Sequence, residues 1–149
     1  MSTQESVSPR IVVGVDGSPS SEAALRWALS QAELAGSVVD AVIAWQYPVS
    51  YGWPVMVTEA DLAGWAGKTL SESIARVLDP DGSVDVRRLV LSGDASQVLL
   101  DTARGAQLLV VGNRGHGGFT QALLGSVSQH CVHHAECPVV IVRDAQPAS

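Results

Sequence analysis

The chain has 149 residues, enough for one sizeable core and too few for two comfortable ones. Hydrophobic residues make up 46% and charged residues 16%, which excludes a disordered chain; a net charge of −6, with nine Lys and Arg scattered along the sequence, excludes a basic nucleic-acid or anionic-membrane surface. Two cysteines, Cys131 and Cys137, make no disulfide framework, the polar first nine residues show no signal-peptide pattern, and no apolar run is long enough to span a bilayer, so a cytoplasmic protein away from membranes is expected.

After the loose tail 1–9, Ile11-Val12-Val13-Gly14-Val15 is a continuous apolar run, as expected of a parallel strand buried on both faces. It ends at Asp16-Gly17-Ser18-Pro19, where Ser18 is a good N-cap and Pro19 a good first helical residue. Leu25, Ala28, Leu29, Ala32 and Ala35 follow at helical spacing, with Gly36 as C-cap. Residues 38–45 read as the second strand, and the Pro- and aromatic-rich stretch 46–57 (Tyr47, Pro48, Tyr51, Trp53, Pro54) as a covering loop. Thr58-x-x-Asp61 opens a helix whose face is Leu62, Ala66, Leu70, Ile74 and Val77, stopped by Pro80-Asp81-Gly82. Val84, Val86, Leu89 and Leu91 mark a third strand, less clean because of Arg87-Arg88. Asp94 caps a short helix through Val98, Leu99 and Ala103 that stops at Gly105.

Residues 107–111 read as the fourth strand, running into Gly112-Asn113-Arg114-Gly115-His116-Gly117-Gly118. Gly125-Ser126 then opens a helix to about Ala135, and Pro138-Val139-Val140-Ile141-Val142 is the fifth strand, before the tail 144–149. A strand, a glycine-rich loop and a helix N-terminus in succession offer converging backbone N–H groups to an anion, and we read this stretch as a phosphate cradle. Strands nearly continuous in apolar residues and alternating with helices predict an α/β fold, a doubly wound five-stranded parallel sheet with helices on both faces, in a single domain over 10–143. Ligands of such sheets sit where the strand order reverses, which makes Asp16 and Gly112 the natural pair around the crevice.

Two familiar phosphate motifs fail. The one lysine, Lys68, lies mid-helix, so there is no G-x-x-x-x-G-K-[ST], and the glycines after the first strand have the wrong spacing for G-x-G-x-x-G. The spacing present is Gly112-x2-Gly115-x9-Gly125-Ser126. With the first strand ending in Asp16, the Gly-Gly-Phe and Leu-Leu-Gly-Ser-Val-Ser segments and the closing Cys-Pro-Val-Val-Ile-Val, the chain resembles the universal stress protein family over nearly its whole length. It is similar to the nucleotide-binding members that carry G-x2-G-x9-G-[ST].

The resemblance implies that ATP, together with Mg²⁺, is bound. Its phosphates would lie on Gly112, Gly115, Gly125, Ser126 and Val127, with Ser128 adding a hydroxyl. Its adenosine would lie at Gly14, Val15, Asp16 and Ala44, with Val111 beside them. The resemblance also implies a homodimer through the last strand, and an apolar edge strand invites such pairing. Ile43 stands where that family often has histidine and Gln107 where it often has aspartate, and Asn113 and His116 sit within the loop; the glycine spacing is untouched.

Simpler roles stand beside these. Asp16 can be a turn or capping residue, Gly14 can serve helix–strand packing, and Arg114 can be a solvated loop charge rather than a phosphate partner. His130, His133 and His134 around Cys131 suit either a metal site or, preferably, a helix C-terminus with Cys131 in the core. Three functions follow for test: a nucleotide-dependent stress regulator first, then a slow ATPase or nucleotide-transferring enzyme, then a dimeric interaction module whose cleft is vestigial. The absence of a lysine from the loop and of an obvious general base, other than Asp16 or His116, weighs against fast phosphoryl transfer.

Overall fold

The computed structural model describes residues 9–47, 57–114 and 125–143. Within them run β1 (Arg10–Gly14), α1 (Pro19–Ala35), β2 (Val38–Trp45), α2 (Glu59–Val77), β3 (Val86–Ser92), α3 (Ala95–Thr102), β4 (Leu108–Gly112), α4 (Ser126–His134) and β5 (Val139–Val142). The aromatic stretch 48–56, the glycine loop from Gly115 to residue 124 and both tails lie outside the described residues.

All strand pairs are parallel, in the order β3-β2-β1-β4-β5. The chain winds outward from β1 to β2 and β3, then returns to the far side of β1 for β4 and β5. The strand order therefore reverses between β1 and β4, and a crevice opens beyond their carboxyl ends. The expected doubly wound sheet is the one found.

Strand alternation divides the core in two. Ile11, Val13, Val15, Val39, Ala41, Ile43 and Val110 face α1 and α2, packing on Ala24, Leu25, Ala28, Ala32, Leu70 and Ile74. Val12, Val42, Leu109 and Val111 face α3 and α4, packing on Val98, Leu99, Ala103 and Cys131. Because both faces of β1, β2 and β4 are covered, their sequences read as unbroken apolar runs.

The helices begin where their caps dictate. The Ser18 side chain accepts the Ser21 N–H with Pro19 following, and α1 ends on Gly36 in the left-handed conformation that glycine adopts without a Cβ penalty. Thr58 and Asp61 form a reciprocal capping box at α2, and the Asp94 carboxylate accepts the Gln97 N–H at α3. Four strands differ in their bounds from expectation. β1 and β4 each shift by a residue, β4 because Gly112 pairs with Val142 of β5, and β5 begins at Val139 rather than Pro138. Val84 precedes β3, packing against the first core cluster without joining the ladder.

Candidate functional site

The crevice has two walls, the turn after β1 and the loop after β4. Past Gly14 the backbone stays in register for one more residue, Val15 donating its N–H to the Val42 carbonyl at 2.8 Å, with its side chain in the core. The chain then turns sharply. The Asp16 carboxylate accepts the Ser18 N–H at 2.9 Å, the Asp16 N–H donates to Ser21 Oγ at 3.2 Å, and Gly17 takes φ +84°. Asp16 therefore has the turn-forming role weighed for it, and the same turn sets it at the mouth of the crevice.

Beyond β4, backbone and side-chain bonds fix the path of Gly112, Asn113 and Arg114. Ser128 Oγ on α4 donates to the Gly112 carbonyl at 2.6 Å. Asn113 N–H donates to the Val142 carbonyl of β5 at 2.9 Å, and the Asn113 carbonyl accepts the Gly125 N–H at 2.8 Å. The last bond brings the two ends of the glycine loop together, so that Gly125-Ser126 stands next to the end of β4.

Gly125 occupies the N-cap position of α4 in extended conformation and supplies no side-chain cap. The first helical bond is Gln129 N–H to Gly125 carbonyl, so the amides of Ser126, Val127 and Ser128 have no acceptor within the helix. The positive end of the α4 dipole lies there, at a backbone with no side-chain carboxylate or hydroxyl capping it. This arrangement suits an anion.

Several expected residues take definite places. A Cβ on Gly112 would fall 2.7 Å from the carbonyl carbon and oxygen of Ser20, so this glycine lets α1 lie against β4. A Cβ on Gly14 would meet Leu99 Cδ1 at 2.9 Å, in line with the packing role weighed for it. Ala44 lies on β2 two residues past Val42, which pairs with Gly14, and so reaches beyond the end of β1. Val111 is buried in the second core cluster, Val127 packs against that cluster, and Ser126 is exposed. The Ser128 hydroxyl proton goes to Gly112, which fastens α4 to β4. Gly115 lies outside the described residues. Gln107 Oε1 accepts Ser37 Oγ–H at 2.7 Å, and Ile43 is buried in the first cluster, so the two departures noted at these positions are absorbed by the fold.

The sequence did not single out Ser20, nor give Asn113 a role. Ser20 is buried, and its Oγ donates to Asn113 Oδ1 at 2.9 Å while accepting the Arg114 N–H at 3.2 Å. One signal was present: Ser20 lies at i−4 and i−8 from Ala24 and Ala28, on the buried stripe of α1.

A separate groove of about 360 Å³ lies between α3 and α4, with Gln97, Asp101, His130, His134 and Glu136 in its lining. The rings of His130 and His134 lie 4.5 Å apart, one helical turn from each other. Among the described residues, no three His, Cys, Asp or Glu side chains are grouped to hold a metal ion. Cys131 is fully buried, and burial pushes its thiol up to about 11, with nearby Cys137 acting in the same direction. No helix among the described residues is long and apolar enough to cross a membrane.

An open parallel sheet with a crevice at the β1–β4 reversal, beside a glycine-led helix N-terminus, belongs to the α/β folds that bind phosphorylated ligands at strand carboxyl ends. The model of the universal stress protein family matches residues 8–143. A universal stress protein of Mycolicibacterium smegmatis is 34% identical over 148 residues, covering 93% of this chain and 49% of its own length, so the chain spans about half of that relative. A universal stress protein solved in complex with cAMP superposes with a TM-score of 0.65 at 24% identity, over 94% of this chain and all of that one. A family protein from Arabidopsis thaliana with AMP bound gives 0.56 at 21% identity, over 92% of each chain. The chain belongs to the universal stress protein family.

Proposed function

We propose that the chain binds an adenine nucleotide, ATP together with Mg²⁺, in the β1–β4 crevice, and acts as a nucleotide-dependent regulator in the stress response. The observation that carries this reading is the Gly125 N–H bond to the Asn113 carbonyl, which sets an α4 N-terminus without a side-chain cap beside the end of β4. The cAMP and AMP bound by two structural neighbours support an adenine nucleotide as the ligand. Phosphates would lie on the backbone of Gly112, Gly115, Gly125, Ser126 and Val127, with the Arg114 side chain as a charged partner. The adenosine would lie along Gly14, Val15, Asp16, Ala44 and Val111. Mg²⁺ would arrive with the phosphates and neutralise part of their charge.

Calorimetric titration of the full chain with ATP, ADP, AMP and cAMP, with and without Mg²⁺, tests the reading. Saturable uptake of ATP supports it, and failure to bind any of the four contradicts it. Hydrolysis is expected to be slow, because no lysine flanks the cradle and the Asp16 carboxylate is engaged by Ser18. Turnover at ordinary enzymatic rates, about 1–10³ s⁻¹, would favour an enzyme instead. For assembly we propose a homodimer through β5, a four-residue apolar strand at the sheet edge, tested by the mass of the protein in solution.

A further inference from the structure

We propose that Ser20, acting through Asn113, is a positioning residue for the phosphate cradle, and that it governs affinity for the phosphate chain rather than for adenosine. The inference rests on the reading of the crevice as a nucleotide site.

Ser20 lies in the first turn of α1, 94 residues from Arg114 in sequence, and is buried. It is the middle of a relay: Arg114 N–H donates to Ser20 Oγ at 3.2 Å, and Ser20 Oγ–H donates to Asn113 Oδ1 at 2.9 Å. The relay turns the Asn113 side chain, only 4% exposed, inward toward α1. It also fixes the orientation of the peptide between Asn113 and Arg114, and with it the direction in which the chain leaves β4. The other Asn113 bonds, to Val142 and Gly125, are backbone bonds that survive any side-chain change. The Ser20 hydroxyl ties this peptide to α1, the helix that begins at the Asp16 turn.

Removing the hydroxyl takes the Ser20 donor from the buried Asn113 Oδ1 and the Ser20 acceptor from the Arg114 N–H. The peptide then keeps the Gly125 bond at its carbonyl but loses the Ser20 bond at its N–H, so its tilt is less closely defined and neighbouring cradle amides sit less well where a phosphate needs them. The adenosine wall, made by β1 and β2, does not depend on the relay.

The test compares Ser20→Ala with Ser20→Thr, which keeps a hydroxyl. ATP and adenosine binding are measured by calorimetry, and amide hydrogen exchange is followed at Arg114 without ligand. The expected result is an ATP affinity about tenfold weaker in Ser20→Ala, the loss expected when a supporting partner is removed. Adenosine affinity should stay within about twofold, Arg114 exchange should be faster, and Ser20→Thr should recover both. Equal losses for ATP and adenosine, or unchanged ATP affinity, would overturn the positioning role. Failure of the unaltered chain to bind ATP would overturn the nucleotide reading and this role with it. Unchanged Arg114 exchange in Ser20→Ala would overturn the relay itself, whatever the ligand.

Discussion

The two ends of the sheet are built from opposite materials. Toward the amino ends of the strands, the buried Asp40 carboxylate on β2 receives Arg87 through two bonds, at 2.6 and 2.9 Å, and Arg10 at 3.3 Å. Arg10 also donates to the carbonyls of Thr102, at the end of α3, and of Arg104. Asp40 holds the Arg87 guanidinium above its ordinary value, chiefly by hydrogen bonding and then by charge. At the carboxyl ends, the bonds that fix Gly112, Asn113 and Arg114 join neutral groups: Ser20, Ser128, Val142 and Gly125. At the amino end these charged groups are paired with one another and with backbone carbonyls. At the carboxyl end, backbone is pinned by backbone and hydroxyls, while a helix N-terminus without a side-chain cap faces the crevice.

Substitutions should separate the two ends. The largest loss is expected for Gly112→Ala, whose methyl would press on the α1 backbone at Ser20, which cannot rotate away. About 3 kcal/mol of stability should be lost in urea denaturation, together with nucleotide binding. Asp40→Ala should cost about 2 kcal/mol and leave nucleotide affinity unchanged; a fully buried pair costs more, but the Arg87 side chain is 54% exposed and can reach water. Loss of binding in Asp40→Ala would erase the division between the ends. Gly14→Ala should cost only about 1 kcal/mol, because the obstacle is the rotatable Leu99 side chain.

A pH-dependent effect concerns Cys131 and sharpens the picture of the α3–α4 face. Its thiol is raised from an ordinary 9.0 to about 11, so the neutral form is favoured in the folded state. Above pH 9 the unfolded chain gives up this proton and the folded chain does not, so stability should be fully present below pH 9 and decline between 9 and about 11. Denaturation midpoints across that range should show the decline, reduced in Cys131→Ala.

Much of the fold was legible because it is decided locally. Ser18-Pro19, the Thr58–Asp61 box, Asp94 and Gly36 each act within a few residues, and helix ends were read from them directly. β2 was bounded correctly because it is covered on both faces over most of its length. β3 was harder: it is an edge strand whose Arg87 serves Asp40 of β2 rather than marking a break. At the site, the glycine spacing was visible but part of its cause was not. Gly112 faces α1 and Gly14 faces Leu99, contacts that depend on how helices pack on the sheet. The Ser20–Asn113 bond spans 93 residues and exists only through the register of α1 against β4. No local pattern encodes it.

The central claim, that the carboxyl ends of β1 and β4 bind an adenine nucleotide, is tested most directly by mapping backbone amide resonances during titration with ATP and Mg²⁺. The account predicts shifts concentrated at Gly14, Val15, Asp16, Ala44, residues 111–114 and residues 125–128, with Arg10, Asp40 and Arg87 unmoved. Shifts centred on the Asp40 end or in the α3–α4 groove, or no shifts at saturating nucleotide, would contradict it.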